Sequence, residues 1–311
     1  MTKTLRIGTR GSQLAMTQTN MVRAELLRHH PGLNIEIIEI RTSGDWVPAQ
    51  GETRLSEDKG GKALFAREIE DAMLAGRVDC GVHSMKDMAS FLPDGLVLEH
   101  TLPREDPRDA FLSNGPRTLA ELPPGAVVGT SSLRRQAMVL ALRPDLKVVP
   151  IRGNVPTRIE KLRVGQVDAT LLAYAGLKRL SLTHEISSVI EIDDMLPAAC
   201  QGIVGIEMRA GDAYVRSLFD PLHCRVSGLQ GAAERAALQT LSGSCHTPIG
   251  AYAVVENNTM TLDVSVMSPD GREDYREQLS GPVHTDENAA GLGVRAGSIL
   301  KDRVPPSLLA A

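Results

Sequence analysis

Short apolar runs alternate along this chain with stretches in which apolar positions recur every three or four residues, a pattern that predicts strands interleaved with helices. Leu5–Thr9 reads as a strand, and Ser12 stands where it can cap a helix running to about His30, with Leu14, Met21, Val22 and Leu26 near helical spacing. Pro31-Gly32 breaks that helix, and Ile35, Ile37 and Ile40 predict the next strand. The polar, glycine-rich residues 43–61 predict a long loop, of a size that is usually functional or mobile. Phe65, Ile69, Ala72 and Met73 mark a helix closed by Gly76, and residues 78–83 predict a buried strand.

The same order of signals then returns. Gly8-Thr9 with its Ser-started helix is echoed by Gly129-Thr130-Ser131-Ser132, Pro31-Gly32-Leu33 by Pro144-Asp145-Leu146, and Gly76-Arg77-Val78-Asp79 by Gly165-Gln166-Val167-Asp168. Three matches in order predict two similar α/β lobes, with ligands at the carboxyl ends of strands or between the lobes. After about Asp220 the pattern changes. A helix over about 228–241, strands over 251–256 and 261–267, a Pro269-Asp270-Gly271 turn and a helix over about 286–301 predict a small α+β third domain. Residues 103–107 and 196–202 are candidate hinges.

A length of 311 residues accommodates such an arrangement, and 42% apolar residues exclude a disordered chain. The net charge of −4 argues against a protein that coats nucleic acid or anionic lipid, and 3% aromatics are too few for base-stacking platforms. The four cysteines form no CxxC pair, so neither a disulfide framework nor a structural zinc site is expected, and no metal is. The first residues contain no apolar run of signal-peptide length, and no stretch is long enough to span a membrane, so a cytoplasmic protein is the expectation.

Charge changes the picture more than composition does. Arg10, Lys86, Arg134-Arg135, Arg152, Arg158 and Lys178-Arg179 all follow predicted strands or sit a turn beyond them. Any one of them is readily a solvated surface cation. Their repetition in two matching lobes points to a cleft built for an anion with several carboxylates or phosphates, since guanidinium forks and helix N-termini both bind such groups. No P-loop or Gly-x-Gly-x-x-Gly is present, which disfavours a nucleotide. Asp87, beside Lys86 at a strand end inside this cationic surround, is the candidate for acid/base work or for stabilising a cationic intermediate. Cys245 lies in the small-residue loop Gly243-Ser244-Cys245-His246-Thr247-Pro248 and is the candidate reactive thiol. Cys80 reads as a core residue, while Cys200 and Cys224 are open. These features alone also admit a non-catalytic two-lobed protein that binds a small dianion, or a cysteine-dependent transferase.

Val82-His83-Ser84-Met85-Lys86-Asp87, Gly129-Thr130-Ser131-Ser132-Leu133-Arg134-Arg135, Arg152-Gly153-Asn154, Ala175-Gly176-Leu177-Lys178-Arg179, Gln201-Gly202 and Cys245-x-x-Pro248 together resemble the porphobilinogen deaminase (hydroxymethylbilane synthase) family, in order from about Leu5 to Gly250. The resemblance implies a cytoplasmic, monomeric transferase of porphyrin and heme biosynthesis. It would join four porphobilinogen molecules head to tail with loss of ammonia, on a dipyrromethane cofactor held by a thioether to Cys245, and release the linear tetrapyrrole by hydrolysis. It implies Asp87 as the catalytic residue. Arg10, Ser12, Lys86, Thr130, Ser132, Arg134, Arg135, Arg152, Gly153, Arg158, Gln201 and Gly202 are implied to hold the cofactor. Arg10, Arg152, Arg158, Arg179, Phe65 and Lys62 are implied to meet substrate. The fold implied is two similar domains of binding-protein type with mixed sheets, over 1–103 with 200–221 and over 104–199, and a third domain over 222–311. The 43–61 loop would be a mobile cover. Asp58 stands where relatives often carry a lysine, Ser244 replaces a glycine, and Cys200 replaces a glycine before Gln201-Gly202, placing a second, oxidation-prone thiol near the cleft.

Overall fold

The computed structural model describes residues 4–47, 51–52, 64–241 and 247–309. The first lobe opens with β1 (Leu5–Thr9), α1 (Gln13–His29), β2 (Ile35–Glu39), α2 (Arg67–Leu74), β3 (Cys80–Ser84) and β4 (Leu96–Thr101). The second holds β5 (Asp109–Ser113), β6 (Val127–Gly129), α3 (Leu133–Leu142), β7 (Lys147–Val149), α4 (Val155–Arg163), β8 (Ala169–Ala173), α5 (Tyr174–Arg179) and β9 (Ser188–Ile190). The chain then returns to the first sheet with β10 (Val204–Arg209), followed by α6 (Ala213–Phe219). The sheet orders are β2-β1-β3-β10-β4 and β7-β6-β8-β5-β9. In each, the first three strands are parallel and the fourth is antiparallel to both its neighbours. The repetition read in the sequence is therefore a repetition of topology, with two mixed five-stranded sheets.

The last part comprises α7 (Arg225–Thr240), the antiparallel strands β11 (Ile249–Glu256), β12 (Thr259–Met267) and β13 (Asp274–Pro282), α8 (Asp286–Arg303) and α9 (Pro306–Leu309). Helices α7 and α8 cover one face of this sheet, and Ala233, Ala237, Leu262, Val264 and Ala296 are buried between them. Their alanines and glycines allow close approach: a Cβ on Gly293 would lie 2.1 Å from the Ala233 carbonyl oxygen. Strand β13 is missing from the sequence reading because it alternates only between exposed and half-buried positions. Among the described residues, no helix is long and apolar enough to cross a membrane.

The predicted hinge segments run side by side, with the Glu105 amide donating to the Gly202 carbonyl at 3.1 Å. Arg104 anchors them to α7: it donates to both carboxylate oxygens of the fully buried Glu234, at 2.5 and 3.3 Å, and to the Gln201 carbonyl at 2.9 Å. Glu234 also accepts from the amides of Cys200 (2.5 Å) and Ala253 (2.8 Å), so one carboxylate ties a hinge to the third sheet. A buried pair with all its lone pairs occupied is strongly destabilising to break from one side.

Candidate functional site

The carboxyl ends of β1 and β6 lead into α1 and α3 through matched polar turns. Ser12 caps α1 by accepting from the Ala15 amide at 3.3 Å, and Ser132 caps α3 by accepting from the Arg135 amide at 3.4 Å. Thr130 accepts from the Ser132 amide at 3.1 Å. The two helix N-termini face a common cleft of about 1260 Å³ between the lobes. The cleft wall includes Arg10, Ser12, Phe65, Lys86, Asp87 and Ser132, then Arg134, Arg135, Arg152 and Gly153, and finally Arg158, Arg179, Gln201 and Gly202. Of the described residues singled out in the sequence for the cleft, two are off the wall: Thr130, only 2% exposed, and Lys178, which is exposed and pairs with Glu105 at 2.9 Å. Lys62 and Cys245 lie outside the described residues, as do residues 48–50 and 53–61 of the 43–61 loop. Thr247 and Ile249, just beyond Cys245 in the chain, line the cleft.

Its charge is lopsided. The described wall carries the cations Arg10, Arg41, Lys86, Arg134, Arg135, Arg152, Arg158 and Arg179 against the acids Glu39, Asp45 and Asp87. Asp109 at the head of β5 offsets two of them from beneath. It is fully buried and accepts from Arg134 Nη2 at 2.6 Å and from Arg135 Nη2 and Nε at 2.7 and 3.1 Å. Burial alone would raise its pKa, but the two guanidiniums outweigh that and hold the carboxyl well below the usual range. Arg134 and Arg135 are thus partly spent on an internal partner, and each also donates to a carbonyl, of Leu196 and Leu171. Sequence reasoning missed Asp109. The available signal was a lone acid opening a strand whose centre, Ala110-Phe111-Leu112, is apolar.

Arg10 is paired with Asp45 at 2.5 Å, while Lys86, Arg158 and Arg179 are depressed by burial. Burial, reinforced by Arg135 and Arg134, pushes the Lys86 ammonium down to about 8 against the pull of Asp87. Burial and Arg135 likewise push Arg158 down to about 10. Burial also lowers Arg179, whose Nε is buried without a hydrogen-bond acceptor while its Nη2 donates to the Gly202 carbonyl at 2.7 Å. Cations depressed in this way are stabilised by an incoming anion, so the wall suits a ligand bearing several carboxylates. That is the fit expected of a dipyrromethane with its acetate and propionate arms.

Backbone shape holds the wall in place. Gly153 has φ +106°, and a Cβ there would lie 2.6 Å from Thr157 Cγ2. Gly202 has φ +92°, and a Cβ would lie 2.2 Å from the Glu105 carbonyl oxygen. Gln201 is fully buried and bridges the lobes: its Nε2 donates to Pro107 O (2.6 Å) and Asp109 (3.0 Å), and its Oε1 accepts from Lys86 Nζ at 3.3 Å. Asp87 closes the 3-10 turn Met85–Asp87 directly after β3, at the cleft wall beside Lys86. Cys200, open in the sequence reading, is 1% exposed and so shielded from oxidation, packed with Met85 and Ile203, and held at φ +62°, a conformation suited to glycine. Cys80 is fully buried in β3, where burial pushes its thiol up.

Two family models match the chain. "Porphobilinogen deaminase, dipyromethane cofactor binding domain" covers residues 5–217, and "Porphobilinogen deaminase, C-terminal domain" covers residues 229–302. Porphobilinogen deaminase of Paracoccus denitrificans is 46% identical over 304 residues, covering 97% of this chain and 95% of that protein. The protein of the same name from Geobacter sulfurreducens is 46% identical over 298 residues, covering 96% and 92%. Among solved structures, the methionine binding protein MetQ matches at 15% identity with a TM-score of 0.44, over 74% of this chain and 94% of that one.

Proposed function

The chain belongs to the porphobilinogen deaminase family, and from that premise we propose that it joins four porphobilinogen molecules head to tail and releases the linear tetrapyrrole. The observation that carries the reading is the cationic cleft with Asp87 at its wall, between two lobes of the same topology. Three units follow, 1–103 with 200–221, 104–199 and 222–311, acting in the cytoplasm as a monomer. The dipyrromethane, when bound through Cys245, supplies the free pyrrole α-carbon at which the chain is extended. Thr247 lies at the cleft two residues beyond Cys245, and two residues span at most about 7 Å.

Each addition breaks the C–N bond of a porphobilinogen aminomethyl group, releases ammonia, forms one C–C bond and gives up the α-proton of the attacked pyrrole. Loss of ammonia leaves a cationic azafulvenium on the substrate. Asp87 supplies the negative charge that stabilises it and accepts hydrogen bonds from pyrrole N–H groups, while assisting removal of the proton. Ser12 and Ser132 present capped helix ends to the carboxylates. Arg10, Lys86, Arg134, Arg135, Arg152 and Arg158 hold the carboxylates of the bound chain, and Arg179 and Phe65 complete the substrate contacts. Gln201, through Lys86 and Asp109, keeps the two lobes' cations in register.

Asp87→Asn tests this reading. Turnover is expected to fall by about a thousandfold, the scale of removing a preorganised charge-stabilising group, while the intact mass still shows attached cofactor. Turnover within about tenfold of the parent would remove Asp87 from the mechanism.

A further inference from the structure

The first lobe's long loop places one of its own carboxylates in the second lobe. Glu52 accepts from the Arg152 backbone amide at 2.6 Å and from Lys161 Nζ. Lys161, on α4, is fixed from a second side because its Nζ donates to the Arg152 carbonyl at 2.8 Å. On a third side the Trp46 ring covers it, with Nζ 4.1 Å from the ring centroid. The Lys161 side chain is only 12% exposed, and that of Glu52 27%. An ammonium and an amide converging on one carboxylate make a built carboxylate receptor, in contact with Arg152 and Trp46, which line the cleft.

We propose that Lys161 and the Arg152 amide form a further carboxylate subsite, for an acetate or propionate arm of the substrate, which Glu52 fills until substrate displaces it. This rests on the porphobilinogen reading above. Glu52 then acts as an internal competitor. Substrate affinity is reduced by the fraction of molecules in which Glu52 occupies the receptor. Displacement frees Glu52 from Lys161 on α4 and uncovers Lys161 from Trp46. Arg10, held by Asp45 of the same segment at 2.5 Å, is the companion site on the first lobe.

Trp46 is the chain's single tryptophan, so its emission reports on this contact directly. The holoenzyme is titrated with porphobilinogen while emission and initial rates are followed. The parent is expected to show a saturable emission change. Glu52→Gln is expected to start near the displaced spectrum, to lose most of the substrate-induced change, and to lower KM by about three- to tenfold. Lys161→Met is expected to raise KM by about tenfold, and adding Glu52→Gln to it should then change KM little. A raised or unchanged KM in Glu52→Gln, or equal emission changes in both proteins, would show that Glu52 merely tethers the loop. Failure of every form, the parent included, to consume porphobilinogen would instead overturn the functional reading beneath the inference.

Discussion

Replacing Asp109 with asparagine keeps the shape of the side chain and removes the charge that holds two buried guanidiniums. Asp109 is fully buried, and Arg134 and Arg135 are 5% and 6% exposed, so water cannot easily take its place. At about 4 Å and an effective dielectric constant of about 20, each ion pair contributes on the order of 4 kcal/mol of gross attraction. Asparagine also presents an NH₂ group to donors that need acceptors. Relaxation recovers part of this, and breaking one side of a buried pair typically costs about 3–5 kcal/mol. For a cooperative unit of roughly 150–250 residues that is about 6–20 °C in melting temperature. The pH dependence follows from the direction of the shift. The folded pKa of Asp109 is depressed, so its contribution is complete above the unfolded value of about 3.9 and is lost as pH falls through the folded value. Thermal melts by circular dichroism should therefore show a constant gap between parent and Asp109→Asn from pH 8 to 5, closing only at lower pH. A variant that melts within about 2 °C of the parent at pH 7 would refute the role assigned to this pair, as would a gap that closes near pH 6.

Two other titrations are open to test. Lys86, pushed down to about 8, loses its proton as pH rises, so KM for porphobilinogen should climb above pH 8 by up to about tenfold per unit, and Lys86→Arg should flatten the climb; a flat KM between pH 7 and 9.5 in the parent would contradict it. Burial and the neighbouring Glu207 raise the Glu70 carboxyl to about 7. Stability from its protonated form is present below the unfolded value near 4.5 and lost as pH rises through 7. Glu70→Gln should therefore melt higher than the parent at pH 8 and show no such advantage at pH 4.5.

Much of the fold was legible because its signals are local. Ser12 and Ser132 announce helix starts, glycines such as Gly76 and Gly165 with positive φ announce helix ends, and the paired occurrence of these signals exposes the repeated lobe. The cations were legible because they stand at strand ends, where the topology sends them to one cleft. What stayed hidden depends on partners distant in sequence. Asp109 meets Arg134 and Arg135 across the second lobe, and Glu234 meets Arg104 from another part of the molecule. Each shows locally only as an acid beside an arginine, with its buried partners far away in the chain. Strand β13 was hidden because an edge strand with polar residues such as Arg276 and Gln278 lacks apolar alternation. Thr130 carries the family motif, yet its hydroxyl serves the turn before α3, and no local pattern separates that role from ligand binding.

The central claim is stepwise polymerisation on a primer carried by the chain, and the intact mass of the purified protein tests it most directly, first alone and then with porphobilinogen. The account predicts a mass exceeding that of the 311-residue chain by two linked pyrrole units, advancing by single units as substrate is added. It also predicts that Cys245→Ser lacks the excess. A mass equal to the bare chain that never advances, even after prolonged incubation with porphobilinogen, would contradict it.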